Sequence, residues 1–504
     1  MRTSSLTRVH RVLLLAFITL SPALLQAQPC DCPANFAWMV KTFSENDAGY
    51  SAVVEKRGKA DYERHTQAFR QRADSMKTVQ NCQPVLNEWL QYFRHGHIGI
   101  WPTNGFQEDA ASAEQAPKTV DPGQVDLTEA QLRKRLEGKG YKAHPVEGIW
   151  SMGDYHLGIV RMGRSSTFKA VVLAWGNANS EPKDVKAELT LNAAGDSLKG
   201  TYYATATLAE KVLSGKTPMP VSAFVKGDDQ GLLDLFGLWE RVYPKRAISA
   251  LDCIELRWNN GEGPYAMPLN ERTMFLRINS FNMVQKPLID SVLAANDAAI
   301  QARPNLIIDI RNGTGGGDAA YAGLMPYLYT TPIRSVDVSL HATPANADAY
   351  EGYVRYFPED TSTANYLVRV AERMRKNLGT YIPRDEEGRR VQVDSSFAQR
   401  SMPQRVAIVC NQRNGSTDEQ FLLEAKPSWK VKVFGKPTMG ALDVSNLNEV
   451  TSPDGLLTMA YAMSRSYRIP DFMIDDHGIQ PDHFLDDAIP EDQWIRYVQQ
   501  VLER

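Results

Sequence analysis

The chain has 504 residues, 43% of them hydrophobic and 23% charged, which is ordinary for a globular protein and long enough for two or three packed domains. Lys and Arg number 56 against 59 Asp and Glu, a net charge of −3. That balance lacks the basic footprint of a nucleic-acid binder or of a protein held on an anionic membrane. Five cysteines are too few for a disulfide scaffold of this size.

Arg2, Arg8 and Arg11 precede an apolar run, Val12–Leu25, broken by Pro22 and followed by Ala27. This predicts a secretory signal peptide over residues 1–27. The run is shorter than the roughly 20 apolar residues of a membrane anchor, and nothing downstream is long and apolar enough to span a bilayer. The mature chain is therefore expected to be exported, to a periplasm or to the outside. In such an oxidising compartment Cys30 or Cys32 could pair with Cys82, Cys32–Cys82 being the pairing expected. Cys-x-Cys is poor zinc spacing and no His/Cys pair completes it. Cys253 and Cys410 sit in apolar surroundings as small hydrophobes.

Residues 28–110 read as helices. Phe36, Met39, Val40 and Phe43 share one helical face, Tyr62–Lys77 is a charged helix, and Pro84–Phe93 carries an apolar stripe. That segment ends in Arg94-His-Gly-His-Ile-Gly-Ile100, where His95 and His97 could be a metal pair, a catalytic base or neither. Ala110–Asp121 has the composition of a linker, and a short helix follows at Gln131–Leu136, both within a connecting stretch 111–145. Over 146–245 the pattern turns to period two, with seven short strands and a hairpin turn at Asn192–Asp196. This predicts an antiparallel β-barrel or sandwich, read as a structural or substrate-positioning module.

From 246 to 504 strands and helices alternate, which predicts an α/β layer core with a polar insertion at about 341–400. The strand Asn305–Ile310 runs into Arg311-Asn-Gly-Thr-Gly-Gly-Gly317-Asp318. The run has neither the GxGxxG spacing of a dinucleotide site nor the Lys-Ser/Thr of a phosphate loop. Its bare N–H groups could face an oxyanion or clamp an extended peptide. A second strand, around Val406–Val409, leads through Gly415 to Ser416-Thr-Asp-Glu419 and an amphipathic helix. Ser-x-x-Glu is a capping box, and a serine at a strand–turn–helix junction is also how many hydrolases present a nucleophile.

In order and spacing, Asp309-Ile-Arg-Asn-Gly-Thr-Gly-Gly, Asn414-Gly-Ser-Thr-Asp-Glu, Gly435-Lys-Pro-Thr-Met-Gly and Gly478-Ile-Gln-Pro-Asp resemble four elements of the tail-specific (C-terminal processing) serine proteases. Phe93–Ile100 resembles the histidine element of their tricorn-protease-like branch. The resemblance implies a mixed α/β, multi-domain protein: a ClpP/crotonase-like peptidase core with an N-terminal helical segment and an inserted barrel-like domain. It makes Ser416 the nucleophile. The lysine that many members place just after Thr-x-Gly is replaced by Ala441, so the base implied is His97, oriented by Asp475 or its neighbour Asp476. The oxyanion donors implied are the N–H of Thr417 and of Gly315 or Gly316. A polypeptide substrate is implied, and no metal or cofactor. A non-catalytic peptide- or ligand-binding protein on the same fold, such as the retinoid-binding relatives, is the alternative.

Overall fold

The computed structural model describes residues 29–103 and 120–504, apart from short stretches at 153, 164, 175–181, 193–197, 209–210, 227–230, 236, 247–248 and 260–262. The expected signal peptide, most of the expected linker and the tip of the hairpin at 193–196 lie outside the described residues.

Four helices open the chain: Cys32–Asn46 (α1), Tyr50–Arg57 (α2), Lys59–Asp74 (α3) and Val79–Leu90 (α4). Asp31 caps α1 by accepting from the Ala34 N–H. The start of α4 lies five residues before the expected Pro84, because Thr78 accepts from the Asn81 N–H and supplies the cap. Pro84 then falls inside the helix. A Cys32–Cys82 disulfide joins α1 to α4 across 50 residues, while Cys30, Cys253 and Cys410 are free and buried. A loop of that length predicts that Cys32→Ser costs about 4 kcal/mol in the unfolding of this part, read as a lower urea midpoint that reductant no longer shifts.

The strand Gly99–Pro102 (β1) and the helix Glu129–Leu136 (α5, capped reciprocally by Thr128 and Gln131) lead to the β-rich domain. Its strands are Gly148–Met152 (β2), Tyr155–Arg161 (β3), Thr167–Ala174 (β4), Val185–Leu191 (β5), Leu198–Leu208 (β6), Lys211–Lys226 (β7), Leu232–Asp234 (β8) and Leu238–Tyr243 (β9). Each pairs antiparallel with the next and β9 closes on β2, so eight strands form a barrel. The sequence pattern predicts seven. The stretch read as one strand over 232–239 divides at a turn, where the Leu235 N–H donates to the Gly237 carbonyl. Trp150, Leu157, Phe168, Leu189 and Trp239 fill the barrel interior.

The core continues with Ala250–Asn259 (α6), Tyr265–Pro268 (β10), Thr273–Arg277 (β11), Lys286–Gln301 (α7), Asn305–Asp309 (β12), Met325–Leu328 (α8), Ile333–Val336 (β13) and Val338–His341 (β14). The insertion holds Pro344–Gly352 (α9), Thr361–Lys376 (α10), Tyr381–Pro383 (β15) and Val391–Asp394 (β16). Then come Arg405–Cys410 (β17), Thr417–Ala425 (α11), Val431–Gly435 (β18), Val444–Thr451 (β19), Leu457–Ser466 (β20), His483–Phe484 (β21) and Trp494–Leu502 (α12).

Strands β11, β12, β17, β18 and β21 run parallel, with β10 antiparallel at one edge. The central strands are buried on both faces, which explains why Leu306-Ile-Ile308 and Val406-Ala-Ile-Val409 are continuous apolar runs. A second sheet, in the order β1-β20-β14-β15 with β19 also on β20, stands beside it. Here β1 pairs with β20 in the register Gly99 to Ala460, so the N-terminal segment enters the core sheet. Phe36, Phe43 and Trp89 share one apolar cluster with Leu340, Val370 and Tyr461, so the N-terminal helices and the insertion pack on the same sheet.

Candidate active site

Strand β17 ends at Cys410, and Asn411–Ser416 forms the turn into α11. Asn414, fully buried, ties that turn down. Its Oδ1 accepts from the Asn411 N–H (2.8 Å) and its Nδ2 donates to the Ile310 carbonyl (2.6 Å). Ser416 is the residue before α11 and adopts φ 58°, ψ −122°. A side chain in that region is strained, and such turns lift a serine out of the backbone toward a substrate. The expected capping box is absent, because the Ser416 hydroxyl makes no capping bond. Glu419 is turned elsewhere. Wholly buried, it accepts from the Gly440 N–H (2.8 Å), the Ala441 N–H (2.8 Å) and the Thr438 hydroxyl. Burial raises its pKa against those donors. Among the described residues the Ser416 Oγ has no partner, and the Glu419 carboxylate clamps the Thr438–Ala441 loop beside it.

The glycine run lies against the same turn. A Cβ on Gly315 would fall 2.8 Å from the Ser416 Cβ and 3.2 Å from the Thr417 nitrogen. Gly315 also has φ +77°, so only glycine fits there on both counts. Of the three expected oxyanion donors, Thr417 and Gly316 have N–H groups without an acceptor among the described residues. The Gly315 N–H instead points inward to Asp418 Oδ2, at 3.4 Å.

His97 arrives from the N-terminal segment. It has φ 53°, and its Nδ1 lies 2.9 Å from the Val444 carbonyl. A carbonyl can only accept, so Nδ1 carries the proton and Nε2 is left as an acceptor in the neutral ring. Burial lowers its pKa to about 4, with the Arg94 charge a smaller contribution and the Val444 bond opposing. Arg94 holds this loop from behind. Its Nε donates to the Gly96 carbonyl and its Nη2 to the His97 carbonyl, both at 3.0 Å, while Asp47 balances its charge at 2.8 Å.

One residue joins the histidine loop to the serine turn. Ala441 accepts from the Ser416 N–H at 2.9 Å, and a Cβ on Gly96 would fall 2.3 Å from the Ala441 Cβ. Position 96 therefore takes only glycine while residues 96–97 follow this path beside the Ala441 methyl group.

Asp475 and Asp476 part company. Asp475 is buried and accepts from the N–H groups of Leu442 (2.7 Å), Asp443 (2.7 Å) and Val444 (3.1 Å). Its pKa is raised by burial against those bonds. The expectation that a carboxylate holds the imidazole directly does not match this geometry. Asp475 is spent on the backbone of residues 442–444, and it is the Val444 carbonyl that meets the imidazole. Asp476 is exposed at φ 65°. The sequence motifs contain Asn414, Glu419 and Arg94 but gave none of them these partners, Glu419 being expected as the N3 residue of a capping box, and Asp47 carried no signal at all.

Farther back, Arg311 is fully buried, paired with Asp309 at 2.8 Å and stacked 3.8 Å over Trp258. The Asp-x-Arg of the glycine element thus anchors the loop rather than facing a substrate. No group of three or more His, Cys, Asp or Glu suited to a metal ion occurs among the described residues, and none of their helices is long and apolar enough to cross a membrane.

Residues 272–484 match the model of Peptidase family S41. The match spans the α/β core from β11 to β21 and supports a peptidase of the tail-specific S41 type. No curated protein matches the chain. Among solved structures, mature CPAF is similar at 14% identity, covering 93% of this chain and 96% of its own, with TM-score 0.47. The photosystem II D1 C-terminal processing protease is similar at 11% identity over 92% of this chain and 96% of its own (TM-score 0.35). The tricorn protease is similar at 12% over 94% of this chain and 36% of its own (TM-score 0.40).

Proposed function

We propose that this protein is an exported serine peptidase that cleaves polypeptides through an acyl-enzyme at Ser416. The observation that carries the reading is the pairing of two states. Ser416 stands on a strained turn with a hydroxyl that has no partner among the described residues, and His97, on the loop that meets Ala441 from the other side, is neutral with Nε2 unprotonated. In the reaction the Ser416 Oγ bonds to the peptide carbonyl carbon as its proton passes to His97 Nε2. The N–H groups of Thr417 and Gly316 receive the negative charge on the carbonyl oxygen. Collapse breaks the C–N bond, the imidazolium returns its proton to the leaving amine, and water then releases the acyl group by the same steps. Asp475 orders residues 442–444 so that Val444 keeps the imidazole in the required tautomer. Export is supported by the N-terminal sequence pattern together with the Cys32–Cys82 bond, which needs an oxidising compartment.

A binding protein without catalysis is the second reading, favoured by the Gly315 N–H that turns away from any ligand. Reaction with a fluorophosphonate probe separates the two. Wild-type protein is expected to label covalently, and Ser416→Ala to lose all labelling while keeping its unfolding midpoint. Folded wild-type protein that fails to label leaves only the binding reading.

A further inference from the structure

Asp418 is the second residue of α11 and lies beneath the glycine loop, 1% exposed. Its Oδ2 accepts from Asn414 Nδ2 at 2.9 Å and from the Gly315 N–H at 3.4 Å. Its Oδ1 is buried and has no hydrogen-bond partner. The loop is built around this carboxyl: a Cβ on Gly313 would fall 2.4 Å from Oδ2. A carboxylate whose second oxygen meets no donor is a costly thing to bury, whereas a carboxyl group can put its proton on that oxygen. Burial accordingly raises the Asp418 pKa to about 7, with Glu419 adding to the rise and the Asn414, Gly315 and Gly415 donors opposing it. The other ionisable groups that face it are few. Arg277 on β11 is already paired with Asp309 at 3.1 Å, and the Cys410 thiol on β17 is pushed up to about 12 and stays neutral.

We propose that Asp418 is a positioning residue which must be uncharged for the oxyanion site to work, so that its ionisation turns the peptidase down on the alkaline side. The proposal rests on the reading in which Ser416 is the nucleophile. Two effects act in the same direction. Gly315 touches both Asp418 and the serine turn, so a carboxylate there lies close to the place where the tetrahedral intermediate becomes negative. In a water-poor interior that repulsion is poorly screened. An ionised Oδ2 is also a stronger acceptor, and by drawing Gly315 closer it pulls the adjoining Gly316 N–H inward, away from the carbonyl oxygen of a substrate.

The test compares the rate of labelling by a fluorophosphonate probe in wild-type protein and in Asp418→Asn, at about pH 6 and about pH 8. The neutral fraction of a group titrating near 7 falls about tenfold over that interval. Wild-type labelling is expected to fall by the same factor, and labelling of Asp418→Asn by less than about twofold. A fall of equal size in both proteins, or a flat wild-type profile, overturns the proposal. If Asp418→Asn does not fold, infrared titration of the wild-type protein takes its place. A protonated-carboxyl band that disappears near the pH of the labelling decline supports the proposal. The lack of any such band at about pH 6 sinks it. Absence of labelling at every pH removes the peptidase reading and the switch with it, whereas labelling with the wrong pH dependence removes the switch alone.

Discussion

Replacing His97 with alanine should slow acylation of Ser416 by about a thousandfold while leaving the fold intact. The position after Thr438-Met-Gly440 is Ala441, and the carboxylates of Asp475 and Glu419 are both committed to backbone N–H groups. The cost to stability should be small, because the hydrogen bond of the His97 ring among the described residues is the single one to Val444. Stopped-flow or quenched labelling with a fluorophosphonate measures the loss, and added imidazole should restore part of it in the alanine variant. Wild-type pH dependence checks the same assignment. Burial lowers the His97 pKa from 6.5 to about 4, so the rate should rise with pH through about 4 and not through the ordinary histidine range. A rise centred on the ordinary value would mean that the imidazole is far better solvated than this geometry allows. Full activity of His97→Ala would remove the residue from the mechanism.

Asp47→Ala should destabilise the protein by about 3–5 kcal/mol and abolish labelling as well. Asp47 and Arg94 are both buried, and their bond is the hidden support of the histidine loop. Asp47 also accepts from the Gly49 N–H at 2.9 Å and the Ala462 N–H at 3.1 Å, so its removal strands two backbone donors besides the guanidinium. Denaturant unfolding reads the first effect. The double substitution Asp47→Leu with Arg94→Met separates structure from positioning. A buried ion pair replaced by apolar groups of similar size can recover much of the stability. It cannot recover the two hydrogen bonds from Arg94 to the Gly96 and His97 carbonyls, which hold His97 at positive φ. The double variant should therefore be stable and slow. One that is both stable and fully active would show that the loop holds itself.

Much of the architecture is legible without coordinates, because it is local. Apolar runs such as Leu306-Ile-Ile308 and period-two alternation over 146–245 encode burial on two faces or on one, and strand or barrel follows. The boundary errors are local as well. Thr78 extends α4 back by a turn, and the turn at 235–237 divides one expected strand into two. The residue pattern around Ser416 also locates the strand–turn–helix junction, since a strand, a glycine and a helix start are written consecutively.

The partners of that turn are another matter. The chain itself determined that a serine would stand at a strand–helix junction, that a glycine-rich loop would precede it, and that lysine would be missing from position 441. Only the tertiary structure decided what comes to lie beside the serine turn. Strand β1 pairs with β20, Arg94 bends the loop, and Gly96 meets Ala441 because neither carries more than a methyl group there. His97 is then oriented by the backbone carbonyl of Val444, which any residue at that position would offer and which no side-chain pattern can announce. The same holds for Asp418 and Glu419. In sequence they are the two acidic residues expected in the first turn of a helix. In the folded molecule both are buried, one beneath the glycine loop and one clamping the loop opposite, because packing and not propensity selects the groups they face.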